Sequence, residues 1–279
     1  MTKTIWEIGA SCMREKYTKE DFAEFKKNNI KYAELSPLFN MKGLDYAREL
    51  FNSIDLKSLK RYAEENGVTI NSFHLPFDHN HINPASFDKN VRENTIEFDR
   101  ELIEKTVALG TKIFVIHPSG EPLEEHERKE SLKYSCESIA RLADIAHTYN
   151  AVIAVENLPR TCIGRSSSDI AEILSFNNKL RVCFDVNHLL SESHKDFVKN
   201  VGNKIITLHI SDYDFINERH WLPGKGQIDW NELIALLQTV GYSGPFMNEI
   251  RYREESNTDE EFVTLAELKA ANLAIFENL

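Results

Sequence analysis

At 279 residues, 42% hydrophobic and 28% charged, the chain has the make-up of a globular protein. It is long enough for one α/β barrel or two domains of about 140 residues, and it holds no run of about 18 apolar residues that could span a bilayer. Its net charge of −11 opposes attraction to phosphate backbones and anionic lipid, so neither nucleic acid nor a membrane is the expected partner.

Eight strand-like apolar runs follow in order: IWEIGA (5–10), YAELS (32–36), TINSFHLP (69–76), KIFVIHP (112–118), AVIAVENL (151–158), RVCFDVNH (181–188), KIITLHISD (204–212) and GPFMNEIR (244–251). The opening MTKTIWEIGASC enters the first of them without the apolar stretch of a signal peptide, which makes cytoplasmic residence the expectation. Amphipathic stretches separate the runs, and several open on a helix-capping side chain: Thr18, Asp55, Ser168 and Asp229. Gly67, Gly110, Gly202 and Gly241 stand where helices should end, each shortly before the next apolar run. Strand then helix, repeated every 30 to 40 residues or about that, predicts a single (β/α)8 TIM-barrel domain over residues 1–279 rather than a doubly wound sheet. The usual nucleotide-binding form of that sheet is removed by the absence of any glycine-rich phosphate loop after a strand. Cys12, Cys136, Cys162 and Cys183 form no CxxC pair, against a zinc ribbon or a disulfide framework.

Polar residues close the last four runs: Glu156, Asp185, His209 and Glu249. In a barrel the C-terminal strand ends share one face, so these four would form a cage of carboxylates and imidazole whose repulsion and burial are costly without a cation. Oxygen and nitrogen donors without thiolate suit Mn²⁺, Mg²⁺, Co²⁺ or Zn²⁺, and three carboxylates with one imidazole lean toward a single Mn²⁺. His74, His117, His188 and His220 end earlier strands or follow the acids, and are candidates for additional metal ligands or substrate donors. His79, His81, His126, His147 and His194 lack that context and read as surface residues. Glu34, closing the second run, is either a partner for substrate hydroxyls or a buried, hydrogen-bonded carboxyl. Arg251, two residues beyond Glu249, would face the same side of its strand and orient that carboxylate or meet substrate. Lys225 reads as an exposed turn lysine, and the charged EEHERKE stretch as a solvated face.

The segments IHPSG, VENLP, FDVNH, LHISD, HWLPGKGQIDW and GYSGPFMNEIR, in this order, resemble the xylose isomerase-like TIM-barrel superfamily of sugar isomerases and epimerases, which also contains the endonuclease IV type of AP endonuclease. Similarity to ketose 3-epimerases of the D-tagatose 3-epimerase kind implies that Glu156, Asp185, His209 and Glu249 hold one divalent ion. It also implies that Glu156 and Glu249 are the acid/base pair, working through an enediolate, and that His188 binds a substrate oxygen. The implied substrate is a ketose, sugar acid or sugar phosphate, and the implied assembly a homo-oligomer. The chain departs from the epimerases at His220, where they carry Arg, and at Cys162, where they carry a substrate-binding Glu, which argues against D-tagatose and D-psicose as substrates.

Similarity to endonuclease IV implies zinc instead. His74, His117 and Glu156 would hold one ion, Glu156, Asp185, His209 and Glu249 a second, and His188 and His220, with Glu218 in the place of an Asp, a third. Against this stand ERHWLPGKG and VENLPR, where the nucleases resemble DRHHSLGEG and ENTAGQG, and the lack of an obvious basic or aromatic strand-end cluster for gripping a duplex. A catalytically silent sugar-binding barrel is a third reading. The expectation is a metal-dependent sugar isomerase or epimerase acting on a small molecule.

Overall fold

The computed structural model describes residues 6–37, 43–252 and 262–278. Its strands are β1 (Ile8–Arg14), β2 (Tyr32–Pro37), β3 (Thr69–His74), β4 (Ile113–Ile116), β5 (Val152–Glu156), β6 (Arg181–Asp185), β7 (Ile205–His209) and β8 (Phe246–Asn248). Every expected apolar run therefore contains a strand, although the first begins at Ile8, and Ile5 lies outside the described residues. The α-helices among the described residues are α1 (Lys19–Lys27), α2 (Leu44–Asn52), α3 (Leu56–Asn66), α4 (Lys89–Thr106), α5 (Arg128–Thr148), α6 (Ser167–Ser175), α7 (His194–Val201), α8 (Trp230–Thr239) and α9 (Leu265–Glu277). None is long and apolar enough to cross a membrane.

Neighbouring strands pair in parallel in the order β7-β6-β5-β4-β3-β2-β1-β8. The ring closes between the ends of β7 and β8, where Ile210 N–H donates to Met247 O (2.8 Å) and Glu249 N–H donates to Ile210 O (3.0 Å). The molecule is a single (β/α)8 TIM barrel. Side chains alternate along each strand, and Val115, Ala154 and Cys183 form a small, fully buried cluster. Two residues further along the chain come Glu156 and Asp185, the last residues of their strands, and His117, directly after β4, so all three stand at the C-terminal mouth.

Thr18, Asp55 and Asp229 cap helices as expected, each accepting from a backbone N–H in the first turn. Helix α6 is capped by Ser166 rather than Ser168, because the Ser166 hydroxyl is the one that accepts from Asp169 N–H; Ser168 lies within the first turn. Gly67, Gly110 and Gly241 adopt positive φ, but Gly202 is right-handed at φ −58°. What requires glycine at 202 is packing, since a Cβ there would come within 2.8 Å of Val198 and 2.9 Å of Val240. Arg128, inside the charged EEHERKE stretch, is not solvated: it turns in to pair with Asp169 and donates to Thr161 O (3.0 Å) and Cys162 O (2.9 Å). All four cysteines are free and buried.

Candidate metal centre at the barrel mouth

Glu156, Asp185 and His209 are the last residues of β5, β6 and β7, and Glu249 directly follows β8. One ligand atom from each lies within 4.8 Å of the others. The ring nitrogen Nδ1 of His209 is 3.1 Å from Glu156 Oε1, 3.3 Å from Glu249 Oε2 and 3.9 Å from Asp185 Oδ2. Further groups overlap or adjoin this one, among them His74 and His117, whose Nε2 atoms lie 3.1 and 3.2 Å from Glu156 Oε2, and His188 with Glu218 and His220. Glu156 is thus the shared member, facing a different set of imidazoles with each oxygen.

The outer contacts of the rings fix how they present themselves. A backbone carbonyl only accepts, so His74 Nδ1–H donates to Leu75 O (2.8 Å), His188 Nδ1–H to Asn157 O (2.9 Å) and His220 Nδ1–H to Glu249 O (3.2 Å). His209 is turned the other way, with Nε2–H donating to Glu34 Oε1 (2.9 Å). The remaining nitrogen of His74, His188 and His209 then faces a carboxylate. That juxtaposition needs a positive charge between the partners, a proton or a metal ion, and an anchored second nitrogen is the usual support of a metal-ligating histidine. Asp185 Oδ2 and Glu249 Oε2 are buried with no hydrogen-bond partner. Donor type, spacing and unpartnered oxygens all fit a divalent ion.

The titration tendencies describe the same competition with protons held in the metal's stead. Burial pushes Asp185 well above its ordinary value. Burial works against the charge of Glu156 and Glu249, but the surrounding imidazoles together outweigh it, His209 with His117 at Glu156 and His209 with His220 at Glu249, and hold both well down. It also opposes protonation of His209, His74 and His188, yet neighbouring anions prevail; for His188 they push the value up to about 10, with Asp185 foremost. His117 alone among these rings is lowered, by burial.

Several residues that build the site were not singled out by the sequence. Asn157 joins β5 to β6 by donating to Asp185 O (2.8 Å) and accepting from Asp185 N–H (2.9 Å). Asn187 donates its N–H to Asp185 Oδ1 (2.7 Å) and accepts from Arg219 N–H (3.0 Å). Asp212 accepts from the backbone N–H groups of Tyr213, Gly224 and Ile228 and from the Trp230 indole, and its own backbone pairs with Trp221 beside His220. A Cβ at Gly226 would collide with Asp212 and Tyr213, so the loop is drawn tight around this carboxylate. Their only signal was an unexplained polar residue beside a strand-end ligand, as in VENLP, FDVNH and LHISD. Replacing Asp212 with Ala strands several buried donors and is expected to cost about 1–3 kcal/mol, read by urea denaturation.

Glu34 is fully buried, with Oε1 accepting from His209 and Oε2 from Ser72 Oγ (2.8 Å). Arg251 is exposed on the segment that follows β8. Lys225 is exposed, as are His79, His81, His126 and His147. His194 corrects the surface expectation: it starts α7 buried, packs edge-on to Phe184 and donates from Nε2 to Val186 O (2.7 Å). Aromatic side chains the sequence did not gather do border the mouth: Phe77 stacks on His117 at 3.7 Å and Trp221 adjoins His220, each 40% exposed. A cavity of about 270 Å³ beside His188 is lined also by Arg160, Arg165, Leu190 and Ser191.

Comparison with known proteins agrees with this architecture. An uncharacterized protein of Methanocaldococcus jannaschii is 30% identical over 180 residues, 61% of this chain and 61% of that protein, so the match spans less than two thirds of the relative's length. A probable endonuclease 4 of Bacillus subtilis is 28% identical over 210 residues, 67% of each chain. Among solved structures, a D-tagatose 3-epimerase-like protein superposes with a TM-score of 0.77 at 23% identity, covering 98% of this chain and 97% of that one. The IOLI protein with a bound zinc atom gives 0.74 at 20% identity, covering 96% of each. The model of the xylose isomerase-like TIM barrel matches residues 22–271, and the chain belongs to that family.

Proposed function

We propose that this protein is a divalent-metal-dependent sugar isomerase or epimerase, which moves a proton at the carbon next to a carbonyl with Glu156 and Glu249 as the exchanging carboxylates. The observation that carries this reading is their placement. They come from β5 and the end of β8, with two strands between, yet converge on one ring nitrogen of His209. A divalent ion held by Glu156, Asp185, His209 and Glu249 would supply a Lewis acid that polarises a substrate carbonyl, and this donor set suits Mn²⁺, with Zn²⁺, Co²⁺ or Mg²⁺ as alternatives. Glu249 is the more open of the pair, its side chain 14% exposed against 1% for Glu156, so it is the one that meets substrate first. His188 lines the adjoining cavity and would hold a substrate oxygen there by turning Nε2 from Glu218. Glu34 acts behind His209 rather than on substrate. Replacing Glu34 with Gln should lower metal affinity about 10- to 100-fold, measured by titration calorimetry.

The test is deuterium uptake from solvent by the metal-loaded protein across a panel of ketoses, sugar acids and sugar phosphates. Uptake next to the carbonyl of a panel member supports the reading; metal-loaded protein that exchanges none of them contradicts it. Binding without exchange would indicate a silent sugar-binding barrel.

A second reading, a zinc-dependent AP endonuclease, is favoured by the three adjoining ligand groups and the aromatic rim. Against it, arginines around the mouth are already matched to carboxylates: Arg160 to Glu121 and Glu218, Arg165 to Glu125, and Arg219 to Asp214. These three arginines are therefore not free to meet a phosphate backbone. Incision of a duplex 5′ to an abasic site would establish this reading in place of the first.

A further inference from the structure

The three ligand groups are not equivalent. In the central group Glu156, Asp185 and Glu249 face histidines, and no arginine or lysine is paired with them among the described residues. The outer group has a single carboxylate, Glu218, and it is already shared. Its Oε2 lies 3.3 Å from His188 Nε2, while its Oε1 lies 3.0 Å from Arg160 Nη1. Arg160 is held firmly in that position. Its guanidinium forms a two-pronged pair with Glu121, through Nε to Oε2 (3.1 Å) and Nη2 to Oε1, and Nη1 also donates to Asn217 Oδ1 (3.2 Å). Its backbone sits at φ +52°, a conformation a non-glycine residue keeps only where its surroundings impose it. The clasp spans three loops at the mouth, those after β4, β5 and β7, and Arg160 and His188 line the same cavity.

We propose that Arg160 takes the place of a metal ion at the outer group, so that the centre holds no more than two ions, at the central group and at His74 with His117. The guanidinium supplies the positive charge that Glu218 requires through Nη1, while its two-pronged pair with Glu121 holds it in place. A divalent ion at His188, Glu218 and His220 would have to share the group's only carboxylate with a fixed cation, and so meets repulsion at a position that offers little anionic charge to offset it. The longer side chain of Glu218, compared with the Asp implied by the nuclease resemblance, lets one carboxylate reach both Arg160 and His188. The inference rests on the metal-centre reading above, and it assigns Arg160 the role of a positioning residue that sets metal number.

The experiment counts zinc ions per chain in the full-length protein by titration calorimetry and by anomalous scattering from crystals grown with zinc. Wild type is expected to show no ion between His188 and His220. Arg160→Gln should gain one ion there, Arg160→Lys should not, and the double variant Arg160→Gln/Glu218→Gln should lose the gain. An ion at the outer group in wild type overturns the proposal, as does a folded Arg160→Gln variant that gains none. Should Arg160→Gln fail to fold, the wild-type maps alone decide: an empty outer group supports the proposal and a filled one overturns it. Absence of any ion at the central group would instead sink the metal-centre reading, which separates the two failures.

Discussion

Glu249→Gln is expected to lower turnover by about 100- to 10,000-fold, the usual worth of one positioned acid or base, while leaving the barrel folded and a metal ion bound. The amide keeps an oxygen for the ion and the shape of the side chain, but it cannot take a proton. Glu249 is the more exposed of the two converging carboxylates, and its Oε2 has no hydrogen-bond partner. Glu156→Gln should be at least as damaging to turnover, and it should also loosen the metal, because Glu156 faces His74 and His117 with one oxygen and His209 with the other. The pair of variants therefore separates two roles: loss of exchange with metal content kept at Glu249, and loss of both at Glu156. Deuterium exchange and metal analysis on the same samples read this directly. Near-normal exchange in both variants would remove the two carboxylates from the chemistry.

Stripping the metal should destabilise the protein in a way that depends on pH. In the metal-free state the folded values of His209, His74 and His188 lie above their ordinary 6.5. Their contribution to stability is full below that value and is lost as pH rises through the folded value, which for His188 is about 10. Asp185, raised from 3.8, works in the same direction: the folded protein keeps a proton the unfolded chain has released, so its contribution falls as pH rises. Glu156 and Glu249, held below 4.5, contribute above that value and lose it as pH falls. Metal-free protein is thus expected to be most stable between the ordinary carboxylate and histidine values, weakening on the alkaline side. A metal ion displaces these protons, so its stabilisation grows with pH. At ligand about 1,000 times its Kd the gain is about 4 kcal/mol. Thermal melts with and without Mn²⁺ should show a larger shift near pH 8 than near pH 6; an equal or reversed difference would contradict the proton-for-metal exchange.

The barrel was legible because its signals are local and repeated. Each strand is a short apolar run, and capping residues such as Thr18, Asp55 and Asp229 mark helix starts within a few positions. The four central residues were legible for a related reason: a charged or imidazole side chain that ends a buried run must face the mouth, and the chain supplies four in succession. What the sequence could not reveal depends on contacts between distant loops. Asp212 reads as one more acid after a strand, and only the closed loop shows it gathering donors from Tyr213 to Trp230. His194 looked like a surface residue because its burial comes from Phe184 and Tyr213 in other segments. The clasp of Arg160 on Glu121 and Glu218 joins residues 39 and 58 positions apart, a pairing that no local pattern announces.

The central claim is that the mouth of this barrel is a metal centre, and metal content by inductively coupled plasma mass spectrometry tests it most directly. Gently purified protein should carry one or two divalent ions per chain; His209→Ala should lose the central ion, and the exposed His147→Ala should retain it. Wild-type protein that holds no divalent ion, even after incubation with manganese or zinc and removal of the excess, would contradict the account.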